Sequence, residues 1–221
     1  MARVFLLAAA LLLASAGQTE ARVTPGVHSD RIVVPRAERS RPAVAPGKPG
    51  SLLVVPGRTR VSGPGRLFRF AVEVEGGLPV DRSEFAAQVV DVLSHPRSWG
   101  GRGAVAFQRV RFGPVDFRIT LASPTLTDDL CAPLPTKGIY SCAQAGRAVL
   151  NASRWLRGAA AYGRRLHRYR VYMVNHEVGH VLGRGHAFCP AAGAPAPVMV
   201  QQTKGVAPCR PNPWPLAWER D

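Results

Sequence analysis

From Phe68 to Glu75 apolar and polar side chains alternate: Phe68, Phe70, Val72 and Val74 interleave with Arg69, Ala71, Glu73 and Glu75. A period of two is that of a strand with one face buried. Leu52 to Val55 reads as a short strand ahead of it. Val115, Phe117, Ile119 and Leu121 read as another strand after it, and the stretch from Ala104 to Phe112 as a less regular one between them. Asp81 followed by Glu84 resembles a capping box. Phe85, Val89, Val92 and Leu93 then recur at helical spacing until Pro96 ends the run. From Cys131 to Ser153 we expect an irregular, disulfide-tied loop, then short strands near Gly138 to Cys142 and Arg147 to Asn151. A second long helix is expected from about Tyr162 to Leu182. Its core stripe is Val171, Val174, Val178 and Val181, with Met173, His176 and His180 on another side. Beyond it Pro190, Pro195, Pro197, Pro208 and Pro211 forbid long regular elements. The expected fold is α/β (α+β): a twisted mixed sheet, two main helices and an irregular C-terminal part.

The first 50 residues follow a different pattern. Met1-Ala2-Arg3 precedes an apolar run from Val4 to Leu13 and the small residues Ala14-Ser15-Ala16. This is the layout of a signal peptide, residues 1–16, cut after Ala16. An uncleaved membrane anchor is the alternative, but the run is shorter than the ~18–20 apolar residues that span a bilayer. Residues 17–50 are dense in Pro, Arg, Ala and Val and read as a linker or, alternatively, a pro-segment. That leaves residues 51–221 of the 221-residue chain for one domain. The expected location is secreted or in the cell envelope, with no stable membrane insertion after cleavage.

Four cysteines, Cys131, Cys142, Cys189 and Cys209, agree with export to an oxidising compartment. Of their three possible pairings, Cys131–Cys142 and Cys189–Cys209 are favoured because each closes a short loop. A cysteine-rich metal site is disfavoured, since the C-x2-C spacing is absent. The formal charge of +15 raises a nucleic-acid role. Almost all of it is scattered arginine, however, with Lys48, Lys137 and Lys204 the only lysines, and no nucleic-acid motif accompanies it. We expect no nucleic-acid partner.

The segment that carries chemistry is Asn175-His-Glu-Val-Gly-His-Val-Leu-Gly-Arg-Gly-His186. His176 and His180, four apart on a helix, share a face and can reach one ion. Glu177 sits where its carboxylate can reach a water on that ion without ligating it. Gly183 can adopt the left-handed conformation that ends a helix and turns the chain, bringing His186 back as a third ligand. Three imidazoles leave one position of a tetrahedral zinc ion open, whereas a zinc ion that only staples a fold usually has four protein ligands. The expected cofactor is one catalytic Zn²⁺.

These residues, HExxHxxGxxH, are the signature of the metzincins, and the sequence resembles that clan. Met199, in Pro197-Val-Met-Val200, stands where metzincins carry the methionine of the turn beneath the zinc. More closely, the stretch from about Ser51 to Trp214 looks like an actinobacterial family of exported proteins of unknown function with a metzincin-like domain. Tyr140-Ser-Cys142, Arg147-Ala-Val-Leu-Asn151, Val174-Asn-His-Glu-Val-Gly-His180, Pro197-Val-Met199 and Pro211-Asn-Pro-Trp214 carry that likeness. The resemblance implies a secreted zinc endopeptidase acting on a peptide or protein substrate, with Glu177 as general base. A strand near Gly138 to Cys142 would form the upper edge of its cleft. The alternatives are a zinc amidase acting on a cell-wall peptide and an inactive zinc-binding envelope module. Some metzincins place a tyrosine just after the turn methionine. Val200, Gln201 and Gln202 stand there instead, which leaves Tyr140, Tyr162, Tyr169 and Tyr172 as candidates for that role. Asn151-Ala-Ser153 matches a glycosylation acceptor, read here as coincidence. Trp214 and Trp218 read as packing anchors or part of a lid.

Overall fold

The computed structural model describes residues 48–221; the signal-peptide reading and nearly all of the linker lie outside the described residues. The strands are β1 (Leu52–Val54), β2 (Arg66–Glu75), β3 (Val105–Arg109), β4 (Phe117–Ala122), β5 (Cys142–Gln144) and β6 (Arg147–Asn151). The helices are α1 (Arg82–Ser94), α2 (Pro124–Cys131), α3 (Ala152–Arg157) and α4 (Leu166–Val181). The architecture is mixed α+β, one six-stranded sheet with helices packed on it. Parallel pairing runs from β3 through β2 and β4 to β6. Antiparallel β1 shares one edge of β2 with β3, and antiparallel β5 lies beyond β6.

Register explains which side chains are buried. On one face Phe70, Val72 and Val74 line up with Phe117, Ile119 and Leu121 and with Ala148 and Leu150, packing against α1 and α4. On the other face Glu73 and Thr120 lie in register with Val149. Here Ala122, Val149, Cys131 and Cys142 form a small apolar cluster with Leu126 and Leu130 of α2. Glu73 and Glu75, expected on an open face, are therefore buried. Glu73 pairs with Arg118 at 2.7 Å and with Arg147, and accepts from the Thr120 hydroxyl. Glu75 accepts from the backbone N–H groups of Gly50 and Ser123. A strand central to a parallel sheet is covered on both faces, so the alternation in its sequence marks two kinds of interior rather than interior and solvent.

Two short helices stand largely on stretches to which the sequence pattern assigns no element. Ser123 caps α2, accepting from the Leu126 N–H, with Pro124 in its first turn. Asn151 caps α3, accepting from the N–H groups of Ser153 and Arg154. Asn151 is fully buried and its amide donates to Gly138 O, which removes it as a glycan acceptor. The edge strand lies at Cys142–Gln144 rather than at 138–142, because Gly138 (φ +63°) and Lys137 (φ +56°) sit in a turn. Helix α4 begins at Leu166, not near Tyr162, since Gly163 takes φ +52° after a one-turn 3₁₀ segment, Ala160–Tyr162. Disulfides join Cys131 to Cys142 and Cys189 to Cys209. Among the described residues no helix is long and apolar enough to cross a membrane.

Candidate metal centre

Helix α4 is buried without interruption from Val171 to Gly179. It packs beneath β6 and the edge strand β5, so the side chains of its exposed end open toward that edge. Asn175 locks its position. The Asn175 side chain donates to Val171 O and Pro213 O and accepts from Ser98 Oγ, and its backbone carbonyl accepts from the Trp99 indole.

The helix ends as its glycine requires. Gly183 takes φ +85°, its N–H donates to His180 O, and Arg184 N–H donates to Gly179 O. This double closure of the last turn is a Schellman motif. It reverses the chain and brings His186 against the helix. The ligand nitrogens of His176, His180 and His186 all lie within 4.8 Å of one another.

Hydrogen bonds decide which nitrogens face inward. His176 Nδ1 lies 2.8 Å from Val198 O, and His180 Nδ1 lies 2.8 Å from Arg184 O. A carbonyl only accepts, so each Nδ1 carries the proton and each Nε2 presents a lone pair. His180 Nε2 and His186 Nε2 are 3.1 Å apart. Two imidazole nitrogens on a tetrahedral ion with bonds of ~2.0–2.1 Å would be about 3.3 Å apart, so the donor set fits such an ion. Burial pushes His176 down to about 3 and also lowers His180 and His186, favouring in all three imidazoles the neutral form, the one able to ligate a metal.

Glu177 is 5% exposed, and its Oε2 is buried without a hydrogen-bond partner among the described residues. Burial pushes its carboxyl up to about 8 in the metal-free chain. The metal-free protein is accordingly expected to lose stability as pH rises from 6.5 to 8. Glu177 keeps its proton in the folded chain up to about 8, whereas the unfolded chain releases it near 4.5, so stability falls as pH rises between these values. The histidines work in the opposite direction only below 6.5. Above that the Glu177 effect stands alone and amounts to about 2 kcal/mol. Urea midpoints across this range, with Glu177→Gln as reference, check it; equal slopes in the two proteins would acquit Glu177.

Beneath the histidines, Met199 packs on the helix backbone. A Cβ at Gly179 would stand 2.4 Å from Met199 Sδ and 2.7 Å from the Trp99 ring. The cleft above has a volume of about 440 Å³. One wall is Leu134 to Thr136 with Tyr140 to Ala143, and the other is Gln201, Thr203 and Lys204. Asp128 of α2 pins the first wall by accepting from the Gly138 N–H at 2.7 Å and from the Thr136 hydroxyl. Those two bonds hold its carboxyl below the usual range.

The model for one protein family, described as a protein of unknown function (DUF3152), matches residues 43–210. The chain belongs to that family. No curated protein matches it. Among the tyrosine candidates of this DUF3152 member, Tyr162 and Tyr169 are core residues, their hydroxyls bonded to Gln202 and Thr203. Tyr172 borders the cleft, but its hydroxyl donates to Val200 O and accepts from the Gln202 N–H. Tyr140 alone stands in the wall with its ring against Lys204 Nζ, 5.1 Å away. Trp214 stacks on His95 at 4.3 Å and lies outside the cleft lining, as does the exposed Trp218. The sequence reading missed Gln202, whose fully buried amide ties Tyr162, Pro197 and Asn212 together, and Glu219, which binds the turn around Met199. Neither residue sits in a motif or periodic pattern.

Proposed function

We propose that the chain is an exported zinc-dependent endopeptidase of the metzincin type, working in the cleft above α4. The observation that carries this reading is the Glu177 carboxyl, buried beside three converging imidazoles with one oxygen unpartnered. A buried polar atom without a partner costs stability. A metal site that merely staples a fold has no use for one, whereas a proton acceptor has. Three imidazoles with no fourth protein donor among the described residues also favour zinc in a catalytic setting over a closed structural one. The two disulfides agree with an oxidising compartment outside the cytoplasm.

His176, His180 and His186 would hold the zinc ion, which when bound supplies a Lewis acid that polarises a carbonyl and acidifies an attacking water. Glu177 takes the proton of that water and returns it to the leaving nitrogen. The bonds that His176 and His180 donate to Val198 O and Arg184 O keep their Nε2 atoms aimed inward. Strand β5 is a sheet edge among the described residues and lines the cleft wall, and its outer side can pair with an extended substrate backbone, orienting the scissile bond across the floor. The Cys131–Cys142 disulfide anchors that wall to α2.

The test is cleavage of a diverse peptide library by the zinc-loaded protein and by the same preparation stripped with a chelator. Cleavage that vanishes on stripping and returns with zinc is the expected result. A protein that holds one zinc and cuts nothing in the library would overturn the endopeptidase reading and leave the amidase and binding-module readings.

A further inference from the structure

We infer that Glu219 is a positioning residue of the metal centre, acting on His176 through the peptide group that joins Val198 to Met199. This rests on the reading of the three histidines as metal ligands. Glu219 is 4% exposed and lies in the one-turn 3₁₀ segment Ala217–Arg220. Both of its carboxylate oxygens are engaged by backbone donors. Oε2 accepts from Val198 N–H at 2.9 Å and Leu216 N–H at 2.8 Å, and Oε1 accepts from Met199 N–H at 3.0 Å.

The geometry of a trans peptide gives these bonds a directional consequence. Within one planar peptide group the N–H and C=O point opposite ways. Met199 N–H and Val198 C=O belong to the same group. With the N–H drawn onto Glu219, the carbonyl is aimed the other way, and there it receives His176 Nδ1–H at 2.8 Å. A carboxylate on the N–H also polarises the group and strengthens the carbonyl as an acceptor. Many metal-bound histidines donate directly to a carboxylate, which fixes the tautomer and raises ligand basicity. Here the carboxylate acts at one remove, with a peptide group inserted. The same turn reaches a second ligand, because Met199 O accepts from the N–H of Ala187, the residue after His186.

His180 provides an internal reference, since its Nδ1 is held by Arg184 O and owes nothing to Glu219. The experiment uses Glu219→Gln, which keeps the shape but replaces one acceptor oxygen by an NH₂ facing a backbone donor. Two quantities are read: zinc affinity by chelator competition, and the ¹⁵N shifts of the His176 and His180 rings in the metal-free protein. Affinity is expected to fall about 10- to 100-fold, with His176 losing its single Nδ1–H tautomer while His180 keeps its own. A folded variant with an unchanged His176 signal and affinity within twofold of the parent overturns the proposal. Equal disturbance of both rings also overturns it, since that marks general loosening. If Glu219→Gln does not fold, the unaltered protein decides. On zinc loading the Met199 amide proton, inside the relay, should shift more than that of Leu216, which binds the same carboxylate outside it. Equal shifts count against the relay. An unaltered protein that fails to bind zinc refutes the metal-centre reading instead, and the tautomer comparison still stands on its own.

Discussion

Glu177→Gln is expected to keep the fold and the zinc ion while lowering hydrolysis by about 10³-fold, the scale of a lost general base. Glutamine matches glutamate in volume, so the packing around α4 changes little. None of the three imidazoles is altered, and the Nδ1 partners of His176 and His180, Val198 O and Arg184 O, lie elsewhere in the chain. What disappears is, among the described residues, the one buried carboxyl that lines the cleft. In the metal-free chain burial holds that group protonated to about 8. A nearby dication favours the charged form and pulls the value down, so zinc loading itself prepares Glu177 as an acceptor. The readouts are kcat/KM on the best library peptide and zinc affinity by competition. Retained affinity with lost turnover is the expected pair. Turnover within tenfold of the parent would place the base elsewhere. Loss of zinc together with activity would make Glu177 a support of the site rather than its base.

What could be read in advance was whatever depends on neighbours along the chain. His176, Glu177 and His180 meet because helical spacing puts them together, and Gly183 follows because a helix must end before a third histidine can return. The cap at Asp81, where the carboxylate accepts from Glu84 N–H, and the strand at Arg147–Asn151 are local in the same sense. The failures share a physical cause as well. Helices α2 and α3 are too short to show an apolar period, and their local signals were the caps Ser123, followed by Pro124, and Asn151, which also fits a glycosylation pattern. The interior placement of Glu73 depends on Arg118 and Arg147, 45 and 74 residues away. Glu219 meets Val198 and Met199 only after the loop beyond the three histidines folds back, and no spacing rule anticipates such a contact.

The series Gly179→Ala→Val is expected to destabilise at each step, by about 1–3 kcal/mol for alanine and about 3 kcal/mol or more for valine. Helix propensity alone predicts the opposite sign for alanine, a gain of roughly 0.5–1 kcal/mol over glycine inside a helix. Packing decides against it. The added Cβ would fall 2.4 Å from Met199 Sδ and 2.7 Å from Trp99 Cζ2, well inside van der Waals contact. Met199 is flexible in itself but 2% exposed, and Trp99 is equally buried, with its indole N–H held by Asn175 O. Neither can yield without moving its surroundings. Displacing Met199 also pulls on the peptide group that orients His176, so zinc affinity should fall together with stability. Urea melts of the metal-free variants and chelator competition would measure both effects. An alanine variant more stable than the parent would show that the turn is free to move, and the close packing of Met199 on Gly179 would then have no part in holding the centre.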